Sequence, residues 1–486
     1  MRTRTQDAVR AVLMVAGLAL AIGRDAAAAG RTFRAGAHVI DVTPKKLPVI
    51  VNGGMRERMA KRIVDPLHAR CLVLDDGITQ IAFAIVDSCV IPRSIMDRAK
   101  ELAHKTTGIP TEHMLIAATH AHSCPSVACV LGSGVQKDYA ELLPGRIAEG
   151  IRLAHKNLAP ARIGWAVGKD PTNVFCRRFV MKPGTARTCR FTGKKNDQAQ
   201  MNPGHQNPNA VKRTGAADTD VPVVSVQSRT GKPLALLANY STHYAGAPAI
   251  SADYFGVFCR RMEERLGAGG LTPPFVAMMT NGTSGDTNCI DFVNPRRKFT
   301  YITVAEDVSQ VAFDACKTIR YFDWVPLAAA EERLTLAIRK PDAAELAEAK
   351  AYLAEHKVDK PRNTTEVYAR EAVILSEMPP TRELKLQAMR IGGLGIAAIP
   401  NEVFTSTGLT IKAKSPLRPT FTIELANGYD GYIPPPEQHK LGGYTTWRAR
   451  SSCLEVDAEP KITAVVLRLL EKVAQHRRDE APVPAK

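Results

Sequence analysis

The chain has 486 residues, 45% of them hydrophobic and 23% charged, with a formal charge of +17. That apolar content is enough to bury a full core, which excludes a disordered or fibrous chain. The basic balance suits an acidic or phosphate-bearing partner, yet no nucleic-acid motif accompanies it, so that function class is set aside.

Residues 1–29 read as a secretory signal. Arg2, Arg4 and Arg10 form a positive start, 11–23 is apolar, and 26–29 offers small residues for cleavage. The apolar run is too short to span a bilayer comfortably, and no second one follows. The expectation is an exported protein, periplasmic or extracellular, with 30–480 forming one domain. Ten cysteines permit disulfides in such a compartment, but there is no C-x-x-C, which argues against a zinc ribbon. Cys71 and Cys316 stand in apolar contexts, where cysteine acts as a small hydrophobe.

In chain order, a first strand is expected over 36–42, followed by a Gly-bearing loop at Asn52-Gly53-Gly54. Residues 69–74 and 80–86 are strand-like around an Asp75-Asp76-Gly77 turn, a hairpin signal. Helical periodicity covers 92–106, opening on a proline and stopping before Gly108. A short apolar strand at 115–119 and a helix near 139–158 follow. Segment 177–213 breaks this rhythm: it is polar and carries nine Lys or Arg against one acid, Asp197. It reads as a solvated excursion, or as a long loop that shapes a site and favours anionic groups. Strands are expected at 221–228 and 234–242, a helix at 254–266, a strand at 275–280 and helices at 302–320 and 341–356. Strands at 384–391 and 394–400 and a helix at 461–475 complete the chain. Alternating strands and helices predict an α/β fold, a layered α/β/α domain around a mixed central sheet.

The polar residues cluster at the ends of apolar runs. His120 and His122 follow the 115–119 strand, and two residues apart on extended chain they share a face. Open α/β sheets place ligands at the carboxyl ends of their strands. Such a pair can bind a metal, or one imidazole can bind while the other works as acid or base. His243 ends the 234–242 run, Glu402 follows the 394–400 run, and Asn281–Asn288 form a loop after 275–280. A carboxylate after a buried strand needs a charge partner, and a metal would supply one. Tyr429, Tyr432 and Tyr444 lie in a Gly- and Pro-rich block near the carboxyl end.

Taken together these pieces resemble the catalytic domain of the neutral/alkaline, non-lysosomal ceramidase family, zinc-dependent amide hydrolases. The resemblance covers roughly 35–475 and rests on ordered motifs: IDVTP, DPLHAR, LVLDDG, IVDSC, THAHS, CRRF, NYSTH, GTSGD, PNEVF and ANGYDGY followed by GGYTTW. The sandwich domain that follows in full-length members is not matched. The resemblance implies one Zn²⁺ per chain held by His120, His243, Glu402 and Tyr432. It implies that His122 and Tyr444 act on the substrate beside the metal. Arg177 is the best match for the family's Asn-Arg arginine, with Arg178 its competitor. It further implies hydrolysis of a C–N amide bond, the N-acyl bond of ceramide or a related lipid, by attack of zinc-bound water. The family's DVSPN-like segment reads Asp286-Thr287-Asn288-Cys289-Ile290, so Asn288 stands at its serine position and a covalent serine route is disfavoured. Ser284 and Asn288 are expected to donate hydrogen bonds to substrate or oxyanion. The partners implied are a small-molecule or lipid amide and peripheral contact with a membrane. The rival readings are a zinc hydrolase of another amide or ester with an anionic substrate, and a relative that binds metal or ligand without turnover.

Overall fold

The computed structural model describes residues 31–194, 196–477 and 480–485. The secretory segment expected at 1–29 lies outside the described residues. No helix among those described is long and apolar enough to cross a membrane.

A large mixed sheet carries the fold. In chain order its main strands are β1 (Arg34–Asp41), β2 (His68–Asp75), β3 (Gln80–Val86), β4 (Met114–Ala118), β5 (Ala159–Lys169), β6 (Asp220–Ser228), β7 (Pro233–Tyr240) and β8 (Val276–Asn281). They lie in the order β8-β7-β6-β5-β1-β2-β3-β4, with one short strand added beside β5 and a second beside that one. The pairs β3–β4 and β7–β8 are parallel and the others antiparallel. The 69–74 and 80–86 hairpin is present as β2–β3, register Asp75↔Gln80. Its residues alternate between two cores. Ile81, Phe83 and Ile85 face one, and Ala82, Ala84 and Val86 face the other. Burial on both faces is why this stretch reads as a continuous apolar run rather than an alternating one.

Four helices cover the face that carries Ala82, Ala84 and Val86: α1 (Arg93–Thr107), α2 (Lys137–Lys156), α3 (Asp253–Arg265) and α4 (Tyr301–Cys316). The α/β class and the mixed central sheet are as expected. The structure adds a second sheet on the other face, made of β9 (Leu327–Ala337), β10 (Thr381–Ile391), β11 (Leu394–Ile399) and β12 (Thr420–Glu424). Met389 and Ile391 pack towards the large sheet, while Leu384 and Leu386 pack towards α5 (Ala458–Gln475). The period-two alternation of β10 thus places this sheet between the large sheet and a further helical layer.

Two features bring distant strand ends together. β1 and β5 pair only at Arg34 and Ala35, so the two halves of the large sheet are joined at one corner. β8 can then lie against β2, β3 and β4. The carboxyl ends of β4, β7, β8, β11 and β12 consequently meet at one place. All ten cysteines are unpaired; Cys71 is fully buried and Cys316 half-buried.

Candidate active site

Each strand that ends at this meeting point delivers a polar residue. Beyond β4, Thr119 and His120 donate their backbone N–H groups to Val86 and Ser88. His120 then adopts φ 71°, in the left-handed region that non-glycine residues rarely occupy. It is therefore this held turn, rather than strand alternation, that brings His120 Nε2 and His122 Nε2 to 3.1 Å. His243, three residues beyond the end of β7, places its Nε2 3.0 Å from His120 Nε2. Glu402 Oε2 lies 3.4 Å from His120 Nε2 and 3.9 Å from His243 Nε2. Glu402 and Tyr432 are register partners in a two-residue parallel ladder, which sets their side chains side by side.

The imidazole nitrogens and the carboxylate oxygen that face the centre of this group are acceptors. His120 Nδ1 donates to the Cys89 carbonyl at 2.8 Å, leaving a lone pair on Nε2. His122 Nδ1 donates to the Gly53 carbonyl at 2.9 Å. His243 Nδ1 meets Ser284 Oγ at 3.2 Å, and that hydroxyl gives its own proton to Glu424 Oε1 at 2.6 Å. Glu402 Oε2 is buried with no hydrogen-bond partner. Burial holds the His243 and His122 imidazoles well below their usual pKa, with Arg177 and His120 as the next causes. Neutral imidazoles and a carboxylate converging on one point repel one another unless a cation sits between them. The donor set fits a divalent metal: nitrogen and oxygen ligands, each oriented by a hydrogen bond from behind. His120, His243 and Glu402 are one group able to hold an ion, and His120 also groups with His122 and Cys89.

Around the group, Arg177 is held by its backbone N–H on the Asp286 carbonyl (2.9 Å) and by its guanidinium on the Gly285 carbonyl (3.2 Å). Its Nη2 lies 3.3 Å from His243 Nε2, and its Nε is buried without a partner. Arg178 points away. It donates to Gln438 and Gly442 and ties down the block that carries Tyr444. The two adjacent side chains thus point in opposite directions, Arg177 towards His243 and Arg178 towards Gln438 and Gly442. Tyr444 borders the small cavity of about 40 Å³ at the metal group and the larger cavity of about 550 Å³ outside it. Burial, and Glu402 next, pushes its phenol up, so it keeps its proton at neutral pH.

Ser284 and Asn288 line neither cavity. Ser284 is fully buried between His243 and Glu424, and Asn288 donates to Asn202 Oδ1 at 3.2 Å. The structure thus puts both behind the site instead of against a substrate, because their hydroxyl and amide groups are engaged by protein partners. Four further residues carry the geometry. Tyr244 stacks on His122 with ring centroids 3.8 Å apart, and Tyr429 Oη reaches Glu402 Oε1 at 3.3 Å. Glu424 anchors Ser284. Gly53 stands where an added Cβ would come within 2.3 Å of the His122 ring. Gly53, in the Asn52-Gly53-Gly54 loop, and Tyr429, in the tyrosine block near the carboxyl end, had a visible signal; Tyr244 and Glu424 had none.

The Ser284–Glu424 pair sets the His243 tautomer, so Ser284→Ala is expected to weaken metal affinity by about 10- to 100-fold. Metal-buffer titration of the purified protein checks this. Unchanged affinity would mean that the hydroxyl is a packing residue only.

No protein-family model matches the chain. Two solved structures share its fold. A crystal structure of neutral ceramidase from Pseudomonas aeruginosa is 16% identical with a TM-score of 0.64, the match covering 93% of this chain and 75% of that one. A ceramidase complexed with C2 is 16% identical with a TM-score of 0.66, covering 94% and 76%. The chain has the neutral ceramidase fold.

Proposed function

We propose that this chain is a metal-dependent hydrolase of N-acyl amide bonds, built on the neutral ceramidase fold, with Zn²⁺ as its metal. The observation that carries the reading is the convergence of acceptor atoms from His120, His243 and Glu402 beside Tyr432, with His122, Arg177 and Tyr444 at the rim. A site that only stored a metal would need none of the last three.

His120, His243, Glu402 and Tyr432 would hold the ion. A bound Zn²⁺ supplies two things at once, a lowered pKa for water and a polarised substrate carbonyl. His122 carries its lone pair on Nε2 and is fixed from behind by the Gly53 carbonyl and the Tyr244 ring. It can take the proton released by attacking water and return it to the amine as the C–N bond breaks. The carbonyl carbon thereby gains the water oxygen, and the amine departs with the proton. Tyr444 donates its hydroxyl to the oxygen that becomes negative, in a site where such a donor acts at low dielectric. Arg177 balances the same charge from the His243 side and cannot lose its own proton.

Ceramide, the substrate in the names of both structural neighbours, is the first probe. The purified protein, stripped by chelator and reloaded with Zn²⁺, should release fatty acid from a short-chain ceramide and stop when stripped again. No release from ceramide or from simple N-acyl amides by the reloaded protein would overturn the reading.

A further inference from the structure

The cavity outside the metal group, about 550 Å³, has an unusual wall. Three of its lining residues are arginines, Arg177, Arg187 and Arg190, and none is an aspartate or glutamate. Segment 177–213 forms much of this wall, and its one acid is turned away. Asp197 accepts hydrogen bonds from the Gly443 N–H (2.7 Å) and the Trp447 indole (2.8 Å). Arg190 is neutralised by Glu348. Arg187 is not: among the described residues no carboxylate lies within ion-pair distance of its guanidinium, although its backbone is pinned by Gln200 Oε1 at 3.1 Å. Deeper in, Arg177 is only 5% exposed and leaves its Nε without a partner. Gln200, Asn202, Thr364 and Thr365 line the same cavity.

Two arginines of one wall without a carboxylate partner, Arg177 and Arg187, raise the local concentration of anions and disfavour a neutral ligand that leaves them unpaired. We infer that the substrate is an N-acyl amide whose amine half carries an anionic group, carboxylate or phosphate, recognised by Arg187 at the outer end of the cavity. This rests on the amide-hydrolase reading and narrows it. Arginine suits either anion, since its planar fork donates two parallel hydrogen bonds to a carboxylate or a phosphate. The two sources are a soluble N-acyl amino acid and a phosphorylated N-acyl lipid.

The zinc-loaded protein separates them with two matched pairs, N-octanoylglycine against N-octanoylethanolamine and ceramide 1-phosphate against ceramide. The charged member of one pair or both is expected to have kcat/KM about 10- to 100-fold higher. The advantage should shrink as salt is raised. In Arg187→Gln the charged-to-neutral ratio should fall towards one, through KM. An advantage in the glycine pair alone assigns the soluble class, and one in the phosphate pair alone assigns the lipid. Equal rates within both pairs, or an advantage that survives Arg187→Gln, overturn the inference while the hydrolase reading stands. A second readout needs no turnover. Calorimetric binding of N-octanesulfonylglycine and N-octanesulfonylethanolamine, which lack a scissile amide, should favour the glycine compound in the wild type and not in Arg187→Gln. If no amide is hydrolysed, the hydrolase reading fails and binding of this pair and of ceramide 1-phosphate against ceramide still decides the anion site: equal binding within both pairs overturns it, and a preference lost in Arg187→Gln upholds it.

Discussion

Purified His243→Ala is expected to contain less than about a tenth of the Zn²⁺ of the wild type and to lose at least about 10³-fold in kcat/KM, since the metal accounts for several kcal/mol of barrier lowering and each 1.36 kcal/mol is tenfold. The expectation follows from the way the site is built. His243 Nε2 sits 3.0 Å from His120 Nε2, and removing the ring takes away one of the two fully buried imidazoles that would hold the ion. Glu402 Oε2 then keeps its desolvation cost with one fewer ligand to share the cation. Elemental analysis beside the ceramide and amide assays checks the result, with circular dichroism to confirm the fold. His120→Ala should behave alike, although its ring comes from a strand at the other end of the sheet. Full metal occupancy with normal turnover in His243→Ala would place the metal centre elsewhere.

Tyr444→Phe should separate chemistry from metal binding. Tyr444 lies at the junction of the two cavities and its ring packs edge-on to Tyr432 at 5.7 Å and to Trp447 at 6.2 Å, contacts that phenylalanine retains. Loss of the hydroxyl removes one donor to the developing oxyanion, an effect of about 10²–10³ in kcat. Metal content and KM should change little. A kcat equal to that of the wild type would remove Tyr444 from the mechanism, and a parallel loss of metal would reassign it as a support for Tyr432.

Much of this molecule was legible along the chain, because secondary structure follows local period. The 80–86 run, the hairpin turn at Asp75-Asp76-Gly77 and the helices expected at 92–106 and 461–475 need only neighbours a few residues away, and the structure has those helices at Arg93–Thr107 and Ala458–Gln475. Site candidates were legible for a related reason: His120, His243 and Glu402 each follow an apolar run, and strand ends are where α/β sheets expose polar groups. What spacing does not contain is which strand ends meet. The joining of β1 and β5 at one corner, and the second sheet against β1–β8, bring residues 120 and 243 to 3.0 Å although 123 positions separate them. Direction was equally hidden. Arg177 and Arg178 are adjacent and alike in sequence, but one faces His243 and the other the Gln438–Gly442 segment, because successive residues of extended chain point to opposite sides. Ser284 gave the same ambiguity, since only packing against Glu424 shows that its hydroxyl is engaged from behind. The sequence by itself determined the elements and the chemistry on offer at their ends. Tertiary structure alone decided which of those groups share a centre and how the basic 177–213 segment comes to wall its cavity. Long-range contacts of that kind arise from burying both faces of two sheets at once, and no local pattern encodes them.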